Sequence, residues 1–338
     1  MLFVGTIIQA VSSAISGLAI NIVHIYIGRI LYEMRSTASI QVLINRWFVK
    51  KRGKAQSIAA AGMPLGAVAL IPLSQYLIIS WGWRTTMLFW AGVVFVIMLG
   101  LTFFVKDRPE DTGVGVDGEP LAATPEHLVK EVSFTQARVE KGSTLSESLR
   151  TGAFWLLLTT AIICGIGCGF MMTHIVIFAT DIGYSEMIGA SFLSIHGVFT
   201  FVGVLFTGYL SDRIARKKVL ALTHLVRGLS FVTIVLSLIF AGGPLWLLYI
   251  AMALFGLGWF TTAPLASGLV ADLFGYLRMG TIVSLVTAGH MIGTAIGVYG
   301  GGITFEMTHS YHLFFFIQGG LEFLAAIFAF AIRRRALY

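Results

Sequence analysis

Ten apolar stretches, each long enough to cross a bilayer, divide the chain at about 2–20, 22–44, 55–79, 86–105, 153–178, 188–210, 219–240, 245–270, 280–303 and 313–332. A bilayer core takes roughly 20 mostly apolar residues per helix, and within it every backbone N–H and C=O must find a partner in its own segment or in a closed barrel. The stretches are continuous rather than alternating, which predicts helices and argues against a β-barrel. Only 12% of the residues are charged against 57% hydrophobic, too few to cover a water-facing surface, so lipid is the expected solvent. The expected fold class is an all-α membrane protein.

Four stretches precede the one long polar segment and six follow it. That segment, 106–152, holds nine acidic and six basic residues with Pro109, Pro120 and Pro125, and reads as a linker that leaves room for a short helix. The expected domains are therefore 1–105, a bundle of four helices; 106–152, a cytoplasmic linker; and 153–338, a six-helix bundle. Of the 23 lysines and arginines, 19 fall in the linker, the tail and the loops 45–54, 211–218 and 271–279, while the opposite loops hold only Arg84. By the positive-inside rule both termini are expected in the cytoplasm. The formal charge of +7 does not point to nucleic acid, because the basic residues lie in short separated loops instead of on one face. Cys164 and Cys168, one helical turn apart in an apolar stretch, read as small hydrophobes, with no neighbours to complete a metal site. No signal peptide is read at Met1-Leu2-Phe3-Val4, and so abrupt an apolar start looks like an interrupted sequence.

The loop after the sixth stretch reads Gly208-Tyr209-Leu210-Ser211-Asp212-Arg213-Ile214-Ala215-Arg216-Lys217. Its glycine permits close helix approach, its aspartate can accept at a helix end or from an arginine, and its arginines suit an anionic leaflet. The string resembles the G-x-L-x-D-R-x-x-R-R/K loop of the major facilitator superfamily. Further strings are similar to the branch that holds monocarboxylate transporters and the oxalate/formate antiporter: Arg46-Trp47-Phe48-Val49-Lys50-Lys51-Arg52-Gly53-Lys54-Ala55 with Gly62 and Gly66, Gly82-Trp83-Arg84, Arg108-Pro109-Glu110-Asp111-Thr112-Gly113, Phe154-Trp155, and His174 followed by Asp181-Ile182-Gly183. Gly28-Arg29 resembles the start of the R-x-x-x-G pattern of that superfamily's fourth helix, with Glu33 where glycine is usual. The resemblance implies twelve helices in two six-helix halves around a central cavity, of which this chain holds the counterparts of helices three to twelve. A truncated gene start or a fragment is the expected reason.

An ionisable side chain at mid-bilayer costs several kcal/mol, about 2.5 or more, unless it faces a cavity or a partner. Arg29 and Glu33 lie one turn apart and can pair. Two readings stand: Glu33 exchanges a proton or a substrate cation against Arg29, or the two form a static pair that fixes packing. Arg35 lies on another face, against a neighbouring helix or water. Arg227, two turns from the end of its stretch, is expected to snorkel toward headgroups. Glu322, central in the last stretch, either faces the bundle in protonated form or marks an oligomer contact. Of the histidines, His174 stands where the resemblance places the cavity and His290 is central in the counterpart of the eleventh helix, where, protonated, it can replace the basic residue that anion-carrying relatives use. The string Gly289, Gly293, Gly297, Gly300, Gly301 and Gly302 offers a smooth face for helix contact, and Trp81 with Trp83 reads as an interfacial belt.

The expected function is secondary active transport of a small organic solute, anionic and most simply a carboxylate, by alternating access with proton coupling or exchange. Arg29, Glu33, His174 and His290 are the expected contacts; Gly208, Asp212, Arg213, Arg216 and Lys217 form the gating or packing loop; no cofactor, metal or nucleic acid is expected. The alternative is a truncated, non-transporting sensor or scaffold. No G-x-x-x-x-G-K-S/T string supports nucleotide-driven pumping, and no H-E-x-x-H, G-x-S-x-G or aspartate pair supports an enzyme. Compact loops and a short tail suggest a bacterial inner membrane.

Overall fold

The computed structural model describes residues 2–33, 43, 47–48, 52–106, 112–115, 143–211, 213–239, 244–259, 262–275 and 277–333. Twelve helices lie among them: α1 (Leu2–Gly17), α2 (Ile22–Glu33), α3 (Arg52–Trp81), α4 (Trp83–Phe104), α5 (Leu145–Leu149), α6 (Gly152–Asp181), α7 (Glu186–Ser211), α8 (Arg216–Ile239), α9 (Leu245–Leu257), α10 (Thr262–Phe274), α11 (Met279–Thr308) and α12 (His312–Ala331). Seven are long and apolar enough to cross a membrane. With the shorter α1 and α2, and with α9 and α10 as two halves of one interrupted span, they account for the ten expected spans.

The chain divides into two compact units, Met1–Met63 with Pro72–Leu128, and Pro64–Ile71 with Val129–Tyr338. In the first, α1 packs against both α2 and α4. Ser12 Oγ donates to Gly28 O across 2.6 Å, and a side chain at Gly28 would collide with Ser16, so the two helices touch through small residues. Arg84, stacked on Trp83 at 4.4 Å, donates to Ala19 O beyond the end of α1. Most of the expected linker lies outside the described residues; its described end forms α5, where Thr144 and Glu147 cap each other's backbone N–H.

The second unit is built on α6 against α11 and on α8 against α12 and α9. Its outer surface is apolar: Trp246, Tyr299, Phe316 and Ile327 are exposed, while Arg227 and Glu322 are fully buried. This inversion of the soluble pattern belongs to a protein dissolved in lipid, where a charge is best placed facing the bundle. Two buried apolar clusters fill the unit. One gathers Phe154, Leu157, Val219, Leu269 and Ile282 toward the basic end, and the other gathers Phe170, Phe178, Phe231, Phe255 and Phe315 toward the opposite end. Between them along α6, α8 and α12 runs a polar layer.

Candidate functional site

The polar layer is organised by Arg227 on α8. Its guanidinium donates to Glu322 Oε1 on α12 at 2.8 Å, to Cys164 O and Sγ on α6 at 2.9 and 2.7 Å, and lies over the Phe255 ring at 5.1 Å. The second oxygen of Glu322 is 2.8 Å from His224 Nδ1, one turn before Arg227 on α8. Gln318, one turn before Glu322 on α12, donates to Glu322 Oε1 and to Ile163 O, both at 3.1 Å. Glu322 is thus met by the Arg227 guanidinium, the His224 ring and the Gln318 amide together. That is how two charged side chains with no solvent exposure are tolerated inside the bundle. Three buried atoms of this layer have no hydrogen-bond partner among the described residues: His224 Nε2, Arg227 Nε and Gln318 Oε1.

This corrects the expected snorkelling of Arg227, which turns inward and reaches Glu322 instead of the headgroups. It also settles the two readings of Glu322 in favour of the bundle interior. The interruption between α9 and α10 is part of the same arrangement. Gly258 ends α9, and a Cβ there would stand 2.5 Å from Arg227 Cγ, so the arginine stem lies where any side chain would have been. Where α10 begins, Thr262 Oγ1 is 3.4 Å from Cys164 Sγ.

Cys164 is thus a junction. It touches Arg227 and Thr262, and the next residue, Gly165, lies against the backbone of His290 on α11, whose Nδ1 is 3.3 Å from Ala161 O. His290 remains half-buried. His196 on α7, which stood out in no sequence pattern, sits buried nearby with its ring 4.9 Å from Trp259 in the interruption and 5.6 Å from Phe255. His174 has a different setting. Its Nδ1 is 3.1 Å from Tyr311 Oη and its Nε2 2.9 Å from Val298 O, so both nitrogens are engaged in bracing α6 against α11 and the start of α12. The structure therefore groups His290 with the polar layer and leaves His174 outside it. In the first unit Arg29 is exposed on α2, and the side chain of Glu33 lies outside the described contacts.

The loop between α7 and α8 works as a clasp at the basic end. Arg213 stacks on Tyr209 at 4.1 Å, Arg216 grips both oxygens of Asp272 near the end of α10 at 2.7 and 2.6 Å, and Lys217 donates to Phe330 O and Ile332 O at the end of α12. Asp212 lies outside the described residues, and nothing described lies within 4 Å of a Cβ built on Gly208. The Arg216–Asp272 pair is about two-fifths exposed, so Asp272→Asn is expected to cost no more than about 1 kcal/mol. Lys217→Met removes charge-assisted bonds to two helix-end carbonyls and should lower the thermal midpoint further than Asp272→Asn does. Scanning both purified variants beside the wild type checks the order.

A family model described as Major Facilitator Superfamily matches residues 1–286 and 193–337. The chain is 25% identical over 290 residues to the uncharacterized MFS-type transporter YcxA of Bacillus subtilis (strain 168), covering 85% of this chain and 66% of that protein. It is 26% identical over 233 residues to the oxalate:formate antiporter of Oxalobacter formigenes, covering 68% and 50%. To monocarboxylate transporter 13 of Bos taurus it is 22% identical over 317 residues, covering 91% and 68%. The chain thus spans between half and about two thirds of the length of these relatives. The crystal structure of a D-xylose-proton symporter superposes with a TM-score of 0.71 over 98% of this chain and 79% of that one, at 16% identity, a likeness of fold.

Proposed function

The chain belongs to the major facilitator superfamily, and from that premise we propose that it serves transport of a small organic anion, a carboxylate, by alternating access with proton coupling or exchange. The observation that carries this reading is the polar layer at the interrupted α9–α10 span. Interrupted helices in transporters expose backbone donors and acceptors at mid-membrane, where a solute can use them. Here the interruption is flanked by His196, Trp259 and Thr262, and His290 lies against α6 at Ala161 and Gly165, beside Cys164 in the chain.

In this reading His290 binds the solute carboxylate when protonated and releases it when neutral, which links anion movement to a proton without leaving a net charge in the bundle. Arg227 is too tightly held by Glu322 to reach a solute; it holds Cys164 in place from behind. Arg29 and Glu33 are proposed as the charged pair of the first unit, Glu33 taking the proton. Two relatives named for monocarboxylates and for oxalate and formate make a carboxylate the first class to try. The proposed location is a bacterial inner membrane with both termini cytoplasmic, because 19 of 23 basic residues fall on that side.

The test is uptake of labelled monocarboxylates and oxalate into proteoliposomes with and without an inward proton gradient. Gradient-stimulated uptake is expected, falling at least about ten-fold in His290→Gln and in Glu33→Gln. His174→Gln should keep more than either, since its nitrogens are used in packing. Absence of flux for every carboxylate would remove the reading and favour a non-transporting scaffold of the same fold.

A further inference from the structure

At the basic end of the second unit, a cleft of about 490 Å³ opens between the start of α6 and the ends of α10 and α12. Arg150 and Arg333 stand on its rim, and Leu156, Leu273 and Phe274 form its walls. Both arginines are exposed, and neither guanidinium is paired with a carboxylate among the described residues. The acidic side chains of the flanking elements are committed elsewhere, Glu147 to the N–H of Thr144 and Asp272 to Arg216. A cleft with two cations unpaired among the described residues, above an apolar floor, suits a molecule that is anionic at one end and greasy at the other.

Trp155 gives the depth. It projects from the first turn of α6, 56% exposed, with its indole N–H donating to Leu149 O at 2.9 Å. An exposed tryptophan with its polar edge toward the helix end is the mark of headgroup level. The cleft is held open by its frame: Ser143 N–H donates to Phe274 O at 2.8 Å, tying the segment ahead of α5 to the end of α10. Its volume lies within the range of small-ligand sites, enough for a phosphate, a glycerol unit and the first carbons of an acyl chain.

We propose that this cleft is a binding site for an anionic phospholipid, its phosphate held by Arg150 and Arg333 and its first acyl carbons lying on Leu156, Leu273 and Phe274. The inference needs only the membrane setting and is independent of any transported solute. Basic clefts between helices at the positively charged face recognise such headgroups by charge, while the apolar wall distinguishes a lipid from a free anion.

Native mass spectrometry of the full chain, released from micelles doped with phosphatidylglycerol or phosphatidylcholine, reads the site. The wild type should retain one phosphatidylglycerol at activation energies that strip phosphatidylcholine. The Arg150→Gln/Arg333→Gln variant should bind it roughly thirty-fold more weakly, the loss of two arginines that each favour an anionic headgroup several-fold. Arg278→Gln, in the neighbouring loop, should bind as the wild type does. Single variants at Arg150 and Arg333 supply the comparison should the double variant elute as aggregate. Equal retention of the two lipids, undiminished phosphatidylglycerol binding by the arginine variants, or equal loss in Arg278→Gln would overturn the site. Displacement by millimolar inorganic phosphate would show a free-anion site and overturn the lipid as its occupant.

Discussion

Glu322→Gln is expected to destroy more folded protein than Arg227→Met, although the two substitutions break the same ion pair, and the double variant is expected to recover most of what either loses. Breaking a buried pair leaves an uncompensated charge and costs about 3–5 kcal/mol, whereas replacing both partners with neutral groups of similar size is often nearly neutral. The asymmetry comes from what each survivor can do. With Arg227 gone, Glu322 keeps His224 Nδ1 at 2.8 Å and the Gln318 amide at 3.1 Å as hydrogen-bond partners. A guanidinium cannot shed its charge, and in Glu322→Gln the fully buried Arg227 faces only neutral groups: carbonyl oxygens, thiols and an aromatic ring. In the double variant the amide that replaces the Glu322 carboxylate still offers a carbonyl to His224 and Gln318. Fluorescence-detected size exclusion and thermal midpoints in one detergent measure the order. Wild-type behaviour of both single variants would mean that water reaches the layer and that the pair is not holding α8 to α12.

The gross architecture was legible because the constraint is severe. A run of about 20 apolar residues has few alternatives to a helix in lipid, so spans could be read with ends good to a few residues. The run 245–270 shows the limit. Nothing in its hydropathy signals an interruption, which arises where the stem of Arg227, on another helix, occupies the space beside Gly258. The inward turn of Arg227 is hidden from the sequence for a related reason. Its distance from the end of its span permits snorkelling, and only the helix face it shares with His224, set against the face shared by Gln318 and Glu322, shows that the two charges meet. Pairing opposite charges between apolar spans would have found the layer from sequence. His290 carried a usable signal in its central position. His196 and Trp259 carried none, since their importance lies in their nearness to each other.

The glycines of α11 make the second large prediction. Their spacing announced a contact face, and the structure assigns it: backbone atoms of α6 lie against Gly293 and Gly297, and Gly301 faces Phe170 and His174, while Gly302 has nothing described within 4 Å. The complementary half went unremarked in the sequence. Gly165 and Gly169 of α6 press against His290 O and Thr294 O, so the helices interlock glycine to backbone on both sides. A methyl at Gly165 would overlap the His290 carbonyl, and one at Gly297 the Ile166 carbonyl. Backbone cannot step aside as a side chain can, so the helices must separate along their length and lose the dispersion contacts of the whole seam. Gly165→Ala and Gly297→Ala are each expected to cost about 3 kcal/mol, the upper end for overpacking, and together to leave no folded protein. Gly302→Ala, on the same helix but off the seam, should hold or raise the thermal midpoint, because alanine favours a helix by up to about 1 kcal/mol over glycine. Opposite signs for the same substitution on one helix would locate the contact face. Equal effects at all three positions would mean that helix propensity, and not the approach of α6, sets the response, and would release His290 from its alignment with Ala161.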